Sequence, residues 1–78
     1  MGKRLYVGNV PFDATEDSIR EFFGEFTVEE VKIVTDKDTG RPRGFVFVEL
    51  DSESEAQQAV ANLDGTVMGG RTLKVNEA

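Results

Sequence analysis

Hydrophobic and polar positions alternate most cleanly between Arg43 and Leu50. Gly44, Val46, Val48 and Leu50 fall on one side of an extended chain, and Arg43, Phe45, Phe47 and Glu49 on the other. That period of two predicts a β-strand with an aliphatic face and an aromatic one. Leu5-Tyr6-Val7-Gly8-Asn9-Val10 repeats the pattern: Leu5 and Val7 share a side, Tyr6 takes the other, and Gly8 leaves room beside it. This strand runs from about Arg4 to Gly8, and Pro11 stops it. The period then changes. Ile19, Phe22, Phe23 and Phe26 are spaced as one helical face, with Thr15 as N-cap and Glu16 and Asp17 in the first turn, where the helix dipole favours anions. These phenylalanines read as core. Gly24 weakens the last turn, which leaves the helix end open by two or three residues.

Val28 to Val34 reads as the next strand, with Val31 and Ile33 inward and Lys32 and Val34 outward. A polar turn from Asp36 to Pro42 leads into the Arg43–Leu50 strand. Ser52 and Glu55 have capping-box spacing ahead of a second helical stripe, Ala56, Ala59, Val60 and Leu63, which Gly65 ends. Val67-Met68, Gly69-Gly70 and Arg71 suggest a short hairpin into a last strand whose Leu73 and Val75 point inward. The order βαββαβ predicts an α+β, ferredoxin-like sandwich: a four-stranded antiparallel sheet with two helices on one face. Tyr6, Phe45 and Phe47 would then share the uncovered face. A small domain does not usually expose such rings without a use for them, and rings beside a cation on an open sheet suit the stacking of unpaired bases.

At these two runs the chain resembles the RNA recognition motif family, whose octapeptide has the form K/R-G-F/Y-G/A-F-V-x-F/Y. Here it reads R-G-F-V-F-V-E-L, with six of eight positions fitting, and the companion hexapeptide reads L-Y-V-G-N-V. Val46 and Leu50 depart from the form, and both point inward, so they bear on packing. The ending Leu-Lys-Val-Asn-Glu-Ala looks like small bacterial proteins with a single such motif. The resemblance implies that Tyr6, Phe45 and Phe47 stack two or three bases and that Arg43 meets a phosphate. Arg41 and Lys37 in the adjoining loop are supplementary phosphate candidates. Asn9, Lys74 and Asn76, with Glu77 beside them, would offer polar groups to base edges. The implied partner is single-stranded RNA, or single-stranded DNA by similar chemistry. Two alternatives stand beside it: a protein-interaction module of the same fold, and a consensus-like domain with no selected ligand.

Composition changes this picture in one respect. The 78 residues are expected to form one domain, 1–78, monomeric, with no cysteine for a disulfide or a thiolate metal site, which suits a reducing compartment. A cytoplasmic location is expected, or a nuclear one in a eukaryote, and no apolar run approaches the length needed to span a membrane. The net charge of −6, however, is opposite to the basic footprint of most nucleic-acid binders. Its distribution softens the conflict. The acidic residues concentrate in the two helices, whereas Lys3, Arg4, Lys32, Lys37, Arg41, Arg43, Arg71 and Lys74 lie in strands or their loops. A mildly basic sheet over an acidic back is expected. Catalysis finds no support: histidine and cysteine are both absent, and the carboxylates fall on solvent-facing helix positions. Asp36-Lys37-Asp38-Thr39-Gly40 resembles the start of a calcium loop but lacks the later ligands, so it reads as a turn. No cofactor or metal is expected.

Overall fold

The computed structural model describes residues 3–40 and 42–78, with Pro42 and Arg43 described in their backbone alone. Eight elements follow in order: β1 (Arg4–Gly8), α1 (Glu16–Phe22), β2 (Val28–Thr35), β3 (Pro42–Leu50), α2 (Glu53–Leu63), β4 (Val67–Met68), β5 (Arg71–Thr72) and β6 (Lys74–Glu77). Strands β2, β3, β1 and β6 lie side by side in that order, with every neighbouring pair antiparallel. The βαββαβ sandwich is therefore present, and the expected hairpin appears as the separate β4–β5 pair. Gly69 and Gly70 supply the two positive φ values of its turn, 57° and 83°, the backbone that a two-residue hairpin requires.

The alternation sorts the side chains as expected. Leu5, Val7, Val46, Val48, Leu50 and Val75 are buried on one face of the sheet. Ile19 and Phe23 from the α1 region and Ala56 and Ala59 from α2 close over them. The alanines let α2 approach the sheet closely. Phe22 and Phe26 are only half-buried at the margin of this core. The helix stops at Phe22, and the chain continues in tight turns, Gly24 N–H to Glu21 O at 3.1 Å and Phe26 N–H to Phe23 O at 2.9 Å, which break the helical spacing. Among the described residues no helix is long and apolar enough to cross a membrane.

Three local features differ from the expectation. Val28 pairs with Leu50 and Glu30 with Glu49, so β2 carries an extra residue there. That bulge turns Val28 and Val31 to the same side, and both pack against the core. A second irregularity lies between the Ile33–Val46 and Thr35–Pro42 pairs, where Gly44 has φ 87°. Gly44 thus leaves the aliphatic row of Val46, Val48 and Leu50 and borders the open face. Capping differs as well. The full reciprocal box belongs to Thr15 and Ser18: Thr15 Oγ1 accepts from Ser18 N–H at 3.1 Å, and Thr15 N–H donates to Ser18 Oγ at 2.9 Å. Ser52 Oγ accepts from Glu55 N–H at 3.1 Å, but the Glu55 carboxylate accepts from Thr27 N–H at 2.6 Å instead of returning to Ser52. It ties α2 to the chain entering β2.

Val46 stands where the family octapeptide has glycine or alanine, and it is buried beneath the helices. Val46→Gly removes buried area and adds a glycine to a central strand, at a cost of about 2–4 kcal/mol. Urea unfolding of the variant should show that loss, and its affinity for a single strand should stay within about threefold of the parent, because the side chain faces away from the open side.

Candidate nucleic-acid interface

Strand register builds the uncovered face in rows. Lys32 pairs with Phe47, Phe47 with Tyr6, and Tyr6 with Asn76, so four outward side chains cross the sheet in one line. The next line runs from Phe45 to Gly8 to Lys74. The line on the other side runs from Glu30 to Glu49 to Arg4. The three rings converge at the centre. Centroids lie 5.6 Å apart for Tyr6–Phe45, 6.2 Å for Tyr6–Phe47 and 6.0 Å for Phe45–Phe47. Each ring is half-buried by its neighbours and leaves part of its surface to solvent. Gly8 is required for this arrangement: a Cβ there would come within 2.8 Å of the Tyr6 hydroxyl, so Tyr6 lies along its own strand over the glycine.

The polar candidates separate into groups. Lys74 and Asn76 are exposed on β6 beside the rings. Asn9 follows β1 in a left-handed conformation, φ 61°, which asparagine tolerates better than most residues. Its Nδ2 donates to the Thr72 carbonyl at 2.8 Å, so one half of the amide is committed to holding β5 in place. Lys37 is exposed in the turn between β2 and β3, away from the rings in sequence and element. There Asp36 Oδ1 accepts from Asp38 N–H and Thr39 N–H, and Gly40 N–H closes onto Asp36 O, so this segment is a turn in structure as in sequence. Arg41 lies outside the described residues, as does the side chain of Arg43. Among the described residues no cluster of carboxylates is arranged to hold a metal.

Charge on the sheet is more divided than its sequence suggests. Arg4 sits between Glu49 at 3.4 Å and Glu30 at 3.9 Å, and Lys3 Nζ bonds Glu29 at 3.2 Å. The Glu29 carboxylate holds the Lys3 ammonium above its usual pKa. These cations are matched by sheet carboxylates, so one end of the open face is not basic. The positive end lies opposite, where Lys74 and Arg71 flank the Tyr6 and Phe45 rings.

That end opens into a cleft of about 510 Å³ bordered by Tyr6, Phe45, Asn9, Phe12, Arg71 and Lys74. Phe12 is 60% exposed, and the Arg71 guanidinium lies 5.1 Å from its ring centroid. Sequence reading assigned Phe12 to nothing. It belongs to no alternation and no helical stripe, and the one signal available was an aromatic residue left over between the Pro11 strand stop and the Thr15 cap.

Comparison with known proteins agrees with this architecture. The family model of the RNA recognition motif matches residues 5–74. RbpA of Nostoc sp. (strain PCC 7120) is 48% identical over 75 residues, a span covering 95% of this chain and 74% of that protein. The 33 kDa chloroplastic ribonucleoprotein of Nicotiana sylvestris is 51% identical over 76 residues, and the chain spans only 24% of its length. Among solved structures, the Rna15 motif with bound RNA (GU) superposes with a TM-score of 0.87 at 32% identity, covering 100% of this chain and 84% of that one. The Sex-lethal protein–RNA complex superposes with a TM-score of 0.89 at 37% identity, covering 97% and 47%. With its octapeptide on β3, its hexapeptide on β1 and both helices behind them, the chain belongs to the RNA recognition motif family.

Proposed function

We propose that this protein binds single-stranded RNA by stacking two or three bases on Tyr6, Phe45 and Phe47, as a binding module and not as an enzyme. The observation that carries this reading is the ring triad on the one face of the sheet that no helix covers. Two structural relatives of the same fold were solved with RNA, which supports the same ligand class. Base–aromatic stacking is worth about 1–3 kcal/mol per base and needs no particular base identity. Lys74 and Asn76, on the row ends next to Gly8 and Tyr6, are the side chains offered to base edges, together with the uncommitted carbonyl of Asn9. Arg43 is the proposed phosphate partner through its place in the octapeptide, with Arg41 and Lys37 as supplements. Single-stranded DNA presents the same π surfaces and belongs to the same proposal. So do action as one monomeric domain and a cytoplasmic location.

Phe47→Ala should lower affinity for a short single strand by about five- to hundredfold while costing little stability, since an outward ring leaves no core cavity. A binding isotherm and a urea melt on the same variant check it. An unfolding loss above about 3 kcal/mol would place the ring in the core instead. Phe23→Ala is the opposite control, with its large loss in the melt.

Gly8→Ala tests the seat of Tyr6. The added methyl displaces the ring from its place over the strand, so the variant should fold with the parent's secondary structure and bind several-fold more weakly. Circular dichroism and fluorescence anisotropy together read both properties.

Salt dependence separates rings from charges. Each phosphate contact on a single strand adds about 0.7 to the slope of log K against log salt. With Arg4 and Lys3 paired to carboxylates and a net charge of −6, the slope should be shallow, about 1–2, and the affinity micromolar in order. An anisotropy series with RNA and DNA pools at several salt concentrations measures it. A steep slope would assign the binding to cations, and failure of both pools at low salt would leave the protein-partner reading in its place.

A further inference from the structure

We propose that the cleft between α1 and the β4–β5 hairpin docks a basic peptide segment of a partner protein. One bulky apolar side chain of that segment sits on Phe22 and Met68, and lysine or arginine beside it meets Glu21 and Asp17. This surface lies outside the ring face and does not rest on the single-strand reading above.

The cleft encloses about 400 Å³ and is bordered by Ser18, Glu21 and Phe22 of α1 and by Met68 of β4. Both walls are held. Phe22 is half-buried, and its ring meets the buried Phe23 ring edge-on with centroids 6.0 Å apart, so the core beneath steadies it. The hairpin is tied at both ends. Thr66 N–H and the Thr66 hydroxyl donate to the Leu63 carbonyl at 3.1 and 2.6 Å, and Asn9 Nδ2 donates to the Thr72 carbonyl at 2.8 Å. A Cβ on Gly69 would stand 2.9 Å from Pro11 Cγ, so the hairpin turn lies against the loop that leads into α1. Met68 is thus set beside the helix with part of its side chain in solvent. A polarizable thioether next to an aromatic ring accommodates apolar side chains of varied shape.

Charge selects the occupant. Glu21 borders the cleft, and Asp17 stands one helical turn before it on α1. Neither belongs to an ion pair among the described residues. Arg20, the basic residue of α1, is engaged by Glu16 Oε2 at 3.0 Å and by the Val28 carbonyl at 3.3 Å. The cleft therefore joins apolar surface to uncompensated negative charge, with no cation among its bordering residues. Such a rim repels phosphate and attracts lysine and arginine, so a basic peptide fits it and a nucleic acid does not. Position adds a second argument. The side chains of α1 pack on the sheet face opposite Tyr6, Phe45 and Phe47, and this cleft shares no residue with the one beside the rings. Peptide and single strand are therefore held at once.

The test begins with selection. Phage-displayed random peptides of about twelve residues are selected on the full chain. The recovered peptides are synthesised and titrated against the parent, Glu21→Lys, Met68→Ala and Phe47→Ala, with a thermal melt of each. They should carry lysine or arginine around one bulky apolar residue. Glu21→Lys should weaken them about tenfold or more with an unchanged melt, since an exposed lysine in the last turn of a helix suits the helix dipole. Met68→Ala should weaken them by several-fold, and so should glycine in place of the peptide's apolar residue. Phe47→Ala should bind them as the parent does, and a short single-stranded RNA should not displace them. Recovery of no peptide, or of peptides indifferent to Glu21→Lys, overturns the proposal. Equal binding by the glycine-substituted peptide also overturns it, because net charge alone then suffices. Peptides lost in Phe47→Ala or displaced by RNA would lie on the rings and overturn it as well. Failure of RNA binding in the parent, with these peptides still bound, would remove the single-strand reading and leave this one.

Discussion

Pairing between β1 and β3 is the constraint on which the rest depends. Five consecutive pairs, Arg4–Glu49 through Gly8–Phe45, set the two central strands in register. Side chains alternate with a period of two, so a slip of one residue would send Tyr6 into the helices and Val7 into water. The buried set prevents that slip. Leu5 and Val7 lie opposite Val48 and Val46 under Ile19, Phe23 and Ala56, and the hydrophobic gain of keeping all of them dry fixes the register. The outward rings inherit their positions from this inner packing, so core and interface are two readings of one alternation.

Much of this was legible in the chain. Four extended runs and two with helical period give the element order, and the order gives the sheet. Tyr6, Phe45 and Phe47 could be assigned to one surface because each stands beside buried aliphatic neighbours in sequence. What escaped had non-local causes. The β2 bulge near Glu29 depends on how that strand meets Leu50 and Glu49, which no local pattern records. The Glu55 carboxylate looked like half of a capping box, yet its partner is Thr27 N–H, in a segment far away in sequence. Asn9 was read as a ligand group, whereas half of its amide braces a hairpin more than sixty residues later. Phe12 and Arg71 meet only after the hairpin folds back onto the first loop.

The acidic charge acquires a definite geography. Glu29, Glu30 and Glu49 stand on the sheet itself and engage Lys3 and Arg4 there. Exposed pairs of this kind add little stability. Their larger effect is on the field that an approaching strand meets. The Arg4 end of the open face offers ion pairs and surplus carboxylate, and the Lys74 end offers cations, so the sheet is electrically lopsided along its strands.

The ring angles carry a consequence of their own. Tyr6 and Phe45 are tilted by 35°, Tyr6 and Phe47 by 63°, and Phe45 and Phe47 by 85°. Neighbouring bases in a double helix lie parallel, each flat on the next. No two of these rings could each lie flat on bases arranged in that way. A strand that uses the triad must part its bases and turn each to its own platform, which a base-paired partner strand would forbid. Three rings inclined in this way thus suit bases that are free to turn independently of one another.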